Sequence, residues 1–560
     1  MSGSRLTRKE FVKRGVLTVG GATVLGALSA TATAQTSTEG KKLETQELSL
    51  SDLAASNRIS GVDLTDDERK SVLDDVKAYR KAYDVIRKEP ITNAISPSLL
   101  FTPLGGGSLA KSPVKIKTTG LKMPIFSTLS EEDVAFLSVR ELGLLLRAKQ
   151  ISSKELTEIY FRRLKKYGDR LLCVITLTED LARKEAAQAD EEMATGKDRG
   201  PLHGIPYGIK DLFSARGYPT TWGANTTEHQ SFDFDAAVVE RLRNAGAVLC
   251  AKLSMGALAQ DDVWFKGRTH NPWNDTQGSS GSSAGSACAM ASGLVAFTIG
   301  TETLGSIVSP SVRCRVTGLR PTFGRVSRFG AMELSWSMDK VGPICRDVED
   351  TALVLAAICG HDPRDPSSVS RPLTYSTRRN LRGLKVGVLT DPAKKTERGP
   401  LFSMLEKLGA TVQPISFSPV PDGVATILDV DCGSAFDEYT RSGLVRQLKE
   451  SAWPETFRSS RFVTAVEYLQ AQRARTLLMH RFDAEFSDVD AYVGVDGAWE
   501  TLVHTNFTGH PQLVIPQAPD EKNESHSISV VGRLYDEGTI LAIGRLLQET
   551  GDFQHRRPKI

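Results

Sequence analysis

The chain lacks the charge imbalance of a polyanion binder. Its 560 residues carry 70 basic and 67 acidic side chains, for a formal charge of +3. Five basic residues (Arg5, Arg8, Lys9, Lys13, Arg14) and one acid (Glu10) lie in the first 34 positions, which leaves the remainder near −1. Both signs are interspersed, so no surface for nucleic acid or an anionic membrane is expected. Close cysteine pairs are also missing. The seven cysteines stand at 173, 250, 288, 314, 345, 359 and 432, which excludes a C-x-x-C zinc site or a small disulfide frame, and metal and cofactor are both expected to be none. Cys250 follows Ala-Val-Leu and Cys359 follows Ala-Ala-Ile, a context for buried thiols. No internal repeat is evident, and no Gly-Lys-Ser/Thr follows the glycine-rich stretch, which excludes a phosphate loop. The hydrophobic fraction of 40% over this length suffices for a large core.

The basic N-terminus precedes an uncharged stretch, Gly15 to Ala30, too short and glycine-rich for a comfortable membrane span. Ala32-Thr33-Ala34 fits a small-residue cleavage site before Gln35, so residues 1–34 read as an export signal, with cleavage after Ala34 and a periplasmic or extracellular destination. An uncleaved anchor is the alternative. Thr7 to Lys13 (TRKEFVK) resembles a twin-arginine signal in which Lys9 replaces the second arginine, so the export route stays open between the two systems. A passenger that folds before export is compatible with free thiols.

Gly278 to Thr322 carries the chemistry. Two serine-bearing glycine turns, at Ser282 and Ser306, lie 24 residues apart, and Lys210 ends the apolar run GIPYGIK 72 residues before Ser282. Gly/Ser-rich segments are often flexible linkers, but Ala287 to Ile299 is apolar and small, which suits a buried helix leading into a strand. Gly281-Ser282-Ser283-Ala284-Gly285 also fits G-x-S-x-G, which would make Ser283 the nucleophile of a hydrolase elbow. That elbow needs a preceding strand, and Asn271 to Gln277 reads as turn and loop. It also needs a downstream histidine, and His480, His504 and His510 stand in no recognisable context. Serine needs a base to act as nucleophile. A lysine serves only where burial lowers its pKa from about 10.4, and Ile205 to Ile209 supplies an apolar setting.

On HGIPYGIKDLF and GTETLGSIVSPS the chain resembles the amidase signature family, from about Leu137 to Pro558. The resemblance implies an α/β fold, a large mixed twisted β-sheet covered by helices on both faces, without a cofactor. It implies hydrolysis of carboxylic amides, and of esters by the same acyl-enzyme, through a Ser-cisSer-Lys triad: Ser306 as nucleophile, Ser282 as relay with a cis peptide bond, and Lys210 as base. The backbone N–H groups of Thr303, Leu304, Gly305 and Ser306 match the family's oxyanion hole. Trp222, Met255, Trp264 and Phe265 lie in segments that border the pocket in relatives, with ordinary core packing as the competing reading. Two departures stand out. Leu304 replaces the first glycine of the nucleophile turn, and Val308 and Ser309 occupy positions where many members carry an arginine, which argues against small acidic substrates. The alternatives are an amidotransferase component that draws ammonia from glutamine for charged tRNA, against which export and neutral charge count, and a silent binding protein on the same scaffold.

Alternation of helix and strand patterns supports the α/β reading independently. Ser152 and Glu155 form a capping box, with Leu156, Ile159, Tyr160 and Leu164 on the buried face. A helix from Thr178, a helix at 236–243 followed by a strand at 248–252, a helix at 348–359 and a strand at 384–389 are predicted. Residues 35–49 read as polar and disordered. The segment 35–128 is expected to form an N-terminal arm before a catalytic domain at 129–560. It has a helix over 66–88 with Val72, Val76, Tyr79, Tyr83 and Val85 as apolar positions, then an irregular stretch around Gly105-Gly106-Gly107. The arm is expected to pack across the core, with homodimer formation as the alternative role. Residues 362–376 are expected to be a loop, and 436–486 helical.

Overall fold

Eleven short runs rich in Val, Ile, Leu and Ala pair into one mixed sheet. In chain order they are β1 (Val174–Leu177), β2 (Pro206–Lys210), β3 (Val248–Leu253), β4 (Phe297–Glu302), β5 (Thr317–Arg320), β6 (Lys340–Cys345), β7 (Lys385–Leu389), β8 (Thr411–Ile415), β9 (Ala491–Val495), β10 (Gln512–Gln517) and β11 (His526–Gly532). Their order across the sheet is β8-β7-β9-β11-β10-β5-β6-β4-β2-β3-β1. β4, β2 and β3 run parallel, with Tyr207 opposite Phe297 and Ile209 opposite Ile299, and β6 lies antiparallel on the other side of β4. Every residue of β2, β3 and β6 is buried, which is why these strands read as continuous apolar runs. Along β3, Leu249 joins one core cluster while Val248 and Cys250 join another. Ala251 and Leu253 also join the second cluster, because the register against β2 shifts between Leu249 and Ala251.

This computed structural model describes residues 47–90, 99, 112–390, 399–449, 451–495, 499–518, 525–551 and 556–560. The signal segment 1–34, residues 35–46 and the Gly105–Gly107 break lie outside them. Residues 48–560 make one compact unit. All seven cysteines are free thiols, six of them buried and Cys359 partly so. Among the described residues no helix is long and apolar enough to cross a membrane.

The predicted elements form close to their expected positions. The capping box of Ser152 and Glu155 opens the helix Ser153–Leu171. Helices run over Glu179–Ala194, Ala237–Asn244 and Val348–Ile358. The helix Ala284–Ala291 is buried on all sides, which its small residues permit. Three local readings are corrected. Residues 271–277 contain a short antiparallel hairpin, His270–Asn271 with Asn274–Gly278. The segment 362–376 ends in a strand, Leu373–Ser376, that pairs in parallel with Val114–Lys117, so the stretch read as irregular supplies half of a ladder. The arm helix ends at Ile86, and its buried residues are Val72, Val76, Tyr79 and Ile86, with Tyr83 and Val85 only partly buried. This helix lies on the 422–459 region. The Tyr79 hydroxyl meets Ser459 Oγ at 3.1 Å, and Arg446 and Arg458 reach Glu68 at 2.8 and 3.0 Å.

Between β5 and the last helix, Glu537–Gly551, Arg325 and Glu537 form a fully buried ion pair at 2.5 Å, and Arg325 also donates to the carbonyls of Arg371 and Tyr535. Arg325→Ala leaves the Glu537 carboxylate buried without its cation. A loss of about 3–5 kcal/mol is expected, read by calorimetry as a lower thermal midpoint.

Candidate active site

The parallel strands β2 and β4 bring their carboxyl ends together, and the candidate residues gather there, where open α/β sheets place ligands. Lys210, the last residue of β2, is fully buried. Its ammonium nitrogen lies 2.7 Å from Ser282 Oγ and 2.9 Å from Thr301 Oγ1. Burial drives its pKa down from 10.5 to about 7, against the smaller opposing pull of Asp339 and Glu302. The Gly281–Ser282 peptide bond is cis. Glycine is required at 281 because a Cβ there would sit 1.7 Å from the Asp261 carbonyl oxygen.

The two serine turns are joined directly, since the Ser283 N–H donates to the Ser306 carbonyl at 3.2 Å. Ser306 is 9% exposed and Ser282 1%. Ser283 is a fixture: its hydroxyl donates to the Thr301 carbonyl at 3.0 Å and accepts from the Thr301 N–H at 3.2 Å. This double tie to β4, and a preceding strand that belongs to a separate hairpin outside the main sheet, argue against the elbow reading. The histidines lie elsewhere: His504 meets the Glu500 and Ser418 carbonyls, and His510 meets Thr508.

After β4 the chain turns through Thr303, Leu304, Gly305 and Ser306 into the helix Val308–Cys314. Among the described residues, no hydrogen bond uses the backbone N–H groups of these four. The left-handed conformation in this turn falls on Gly305, at φ 86°, while Leu304 stays outside that region. The replaced glycine therefore costs the turn nothing in backbone geometry.

Five residues that the motif reading did not single out, Glu302, Arg320, Asp339, Lys340 and Asn506, hold this turn. Glu302 accepts from the Ile307 and Val308 N–H groups at 2.8 and 2.9 Å, from Arg320 at 2.6 Å and from Asn506 at 2.8 Å. Burial by itself would raise its pKa, but Arg320 and Lys340 outweigh that and hold it down at about 2. Asp339 accepts from Thr303 Oγ1 at 2.6 Å and from the Leu334 and Ser335 N–H groups at 2.8 and 3.0 Å. Lys340 donates to the carbonyls of Thr303 and Met338, and burial, then Arg320, push its pKa far down. Glu302 lies within the glycine-rich motif and was open to inspection there. Asp339, Lys340 and Asn506 carried no sequence signal, because strand pairing and a distant helix deliver them.

The segments of the four expected pocket residues lie together: the Phe265 N–H donates to the Gly223 carbonyl at 3.1 Å, and Gly223 lies against the Met255 backbone. Trp264 is 1% exposed, with its indole N–H donating to the Leu172 carbonyl at 3.0 Å and Phe265 edge-on against it. Met255 is fully buried. Trp222 adopts φ 51° and packs on Phe232 and Phe436. None of the four lines the large cleft, of about 1000 Å³, whose wall includes Phe329, Glu333, Trp336, Tyr468 and Arg475. That cleft shares Arg328 and Glu333 with a small pocket that also contains Thr301, Thr303 and Asp339, so it adjoins the lysine–serine cluster. For Trp264 and Met255, core packing is what the geometry shows.

The amidase family profile matches residues 155–495, more than half of the chain, and the chain belongs to the amidase family. Among curated relatives, a glutamyl-tRNA(Gln) amidotransferase subunit from Anaeromyxobacter sp. (strain K) is 33% identical over 476 residues, covering 74% of this chain and 96% of that one. Its counterpart from Geobacillus stearothermophilus is 30% identical over 479 residues, covering 75% and 98%. Among solved structures, the native peptide amidase from Stenotrophomonas maltophilia aligns with a TM-score of 0.66 at 28% identity, over 75% of this chain and 98% of that one. The fold is thus the mixed, helix-flanked sheet of the amidase signature proteins.

Gly281→Ala must displace the 261 carbonyl or the 281–282 backbone. The variant is expected to stay folded by circular dichroism and to lose most of its reactivity toward a fluorophosphonate, measured as the rate of covalent labelling.

Proposed function

We propose that the protein is an exported amide hydrolase working through Ser306, Ser282 and Lys210. The observation that carries this reading is a buried lysine, its pKa near 7, within 2.7 Å of a serine hydroxyl on a cis peptide bond. Neutral Lys210 takes the Ser282 proton while Ser282 takes the Ser306 proton, and Ser306 Oγ adds to the amide carbonyl. The oxyanion is met by the unspent N–H groups of the 303–306 turn, each such donor being worth about 10²–10³ in rate. Collapse breaks the C–N bond, with the proton returned through Ser282 to the departing nitrogen. Water then hydrolyses the acyl-enzyme by the same relay. Esters share the acyl-enzyme and are expected to be cleaved as well.

Lys210 acts only when neutral, so kcat/KM should rise with pH and level off above about 7. Lys210→Ala should lose about 10²–10⁴ in rate together with that pH dependence. A reporter-tagged fluorophosphonate followed by peptide mapping should label Ser306 in the wild type and nothing in Ser306→Ala. Label on Ser283, or none on folded wild-type protein, would reject the assignment.

The names of the curated relatives favour a second reading, a glutaminase serving an amidotransferase. The two separate in an assay of the chain alone: hydrolysis of simple amides without partner proteins supports the first reading. Activity confined to glutamine, and appearing only with partners, supports the second.

Export rests on the N-terminal sequence. Expression in a Gram-negative host should give periplasmic protein that begins at Gln35, read by N-terminal sequencing. Full-length cytoplasmic protein would remove this part of the proposal.

A further inference from the structure

The cleft beside the lysine–serine cluster holds several charged side chains, and nearly all are already engaged by the protein. Arg328 donates to Asp365, Ser367 and the Trp336 carbonyl. Arg475 is spent on Ser337 and the Phe507 carbonyl, and Arg364 on Glu240 and Asp362. Of the carboxylates, Asp365 holds Arg328 and Ser367, and Asp431 accepts from Ser335 and from Tyr468 at 2.7 Å. Glu333 is different. It is exposed to the cleft and makes no hydrogen bond or salt bridge to another described residue, while Arg328, already bonded to Asp365, acts on it only at longer range.

Its position ties it to the reacting end of the site. Glu333 and Arg328 are the residues shared by the cleft and the small pocket containing Thr301 and Thr303. The next residue, Leu334, donates its N–H to Asp339, and Asp339 accepts from Thr303 in the turn before Ser306. A chain of two hydrogen bonds thus fixes the backbone at Glu333 relative to that turn. Three residues on, Trp336 presents an indole that is 49% exposed. An unspent carboxylate beside an exposed indole suits a cation, through a charge-assisted hydrogen bond and attraction to the ring face.

We infer that Glu333 selects substrates, so that the preferred amides carry an ammonium group on an apolar chain, with the cation at Glu333 and the scissile carbonyl at Ser306. This rests on the hydrolase reading above and gives it a substrate class. The missing arginine at 308 and 309 is consistent, since the chain then offers no carboxylate anchor near the nucleophile.

The test compares 6-aminohexanoyl p-nitroanilide with its neutral isostere, heptanoyl p-nitroanilide, under the same conditions. The ratio of kcat/KM is taken within each protein, so that any loss of folded enzyme cancels. Wild type is expected to favour the cationic substrate at least tenfold. Glu333→Gln should bring the ratio close to one, and Glu333→Lys should invert it. In parallel, calorimetric titration of Ser306→Ala with 6-aminohexanamide and with heptanamide reads binding without turnover, and the aminoamide should bind at least tenfold tighter. Equal binding of the two amides, or a cation preference that survives Glu333→Gln, overturns the inference while leaving the hydrolase intact. Absence of turnover for both anilides together with absence of label on Ser306 sinks the hydrolase reading itself, and the calorimetric ratio still decides whether Glu333 holds a cation.

Discussion

The site depends on one buried carboxylate. Glu302 ends β4 with no exposure to water, and its two oxygens receive four donors, from two backbone amides, an arginine and an asparagine. A charge this deep persists only when every lone pair is met. Meeting them forces the chain to reverse sharply after Thr303, because the Ile307 and Val308 amides must reach back to the strand they have just left. The turn carrying Ser306 is the consequence, and its four N–H groups are left without partners among the described residues. Asn506 and Arg320 bring the other half of the sheet to the same point, so one residue couples the turn to β5 and to the helix Trp499–Thr508.

Lys210 sits within this frame under opposing influences. Desolvation favours the neutral amine, while Asp339 and Glu302 favour the ammonium. Desolvation wins, and the balance rests near neutral pH. The same carboxylates that shape the 303–306 turn therefore limit how far the Lys210 pKa falls. Close packing supports the arrangement: the Gly281 backbone lies against the Asp261 carbonyl, and Ser283 is stapled to Thr301. The substrate's chemical class would then be decided elsewhere, at a cleft whose charges are almost all committed and whose one open carboxylate among the described residues is Glu333.

Much of this was legible in the sequence. The helix at Ser153 announced itself through Ser152 and Glu155. The small-residue run after Ser283 betrayed a buried helix, and the lysine and two serines stood in recognisable contexts. The misreadings share a cause. The hairpin within 270–278 and the ladder between Val114–Lys117 and Leu373–Ser376 are too short to show periodicity, and the second depends on a partner about 260 residues away.

The sequence by itself determined the chemistry on offer: a lysine in an apolar run, two serines in glycine turns, no histidine among them, and a nearly neutral surface. These are local properties, set by residue type and neighbours. Only the tertiary structure decided that Lys210 is fully dry, that Asp339 and Lys340 flank Thr303, that Leu304 avoids the left-handed region because Gly305 takes it, and that Glu333 is the cleft carboxylate without a hydrogen bond or salt bridge to another described residue. Burial, ion pairing and hydrogen-bond satisfaction are sums over neighbours far apart in the chain, and no single segment contains them.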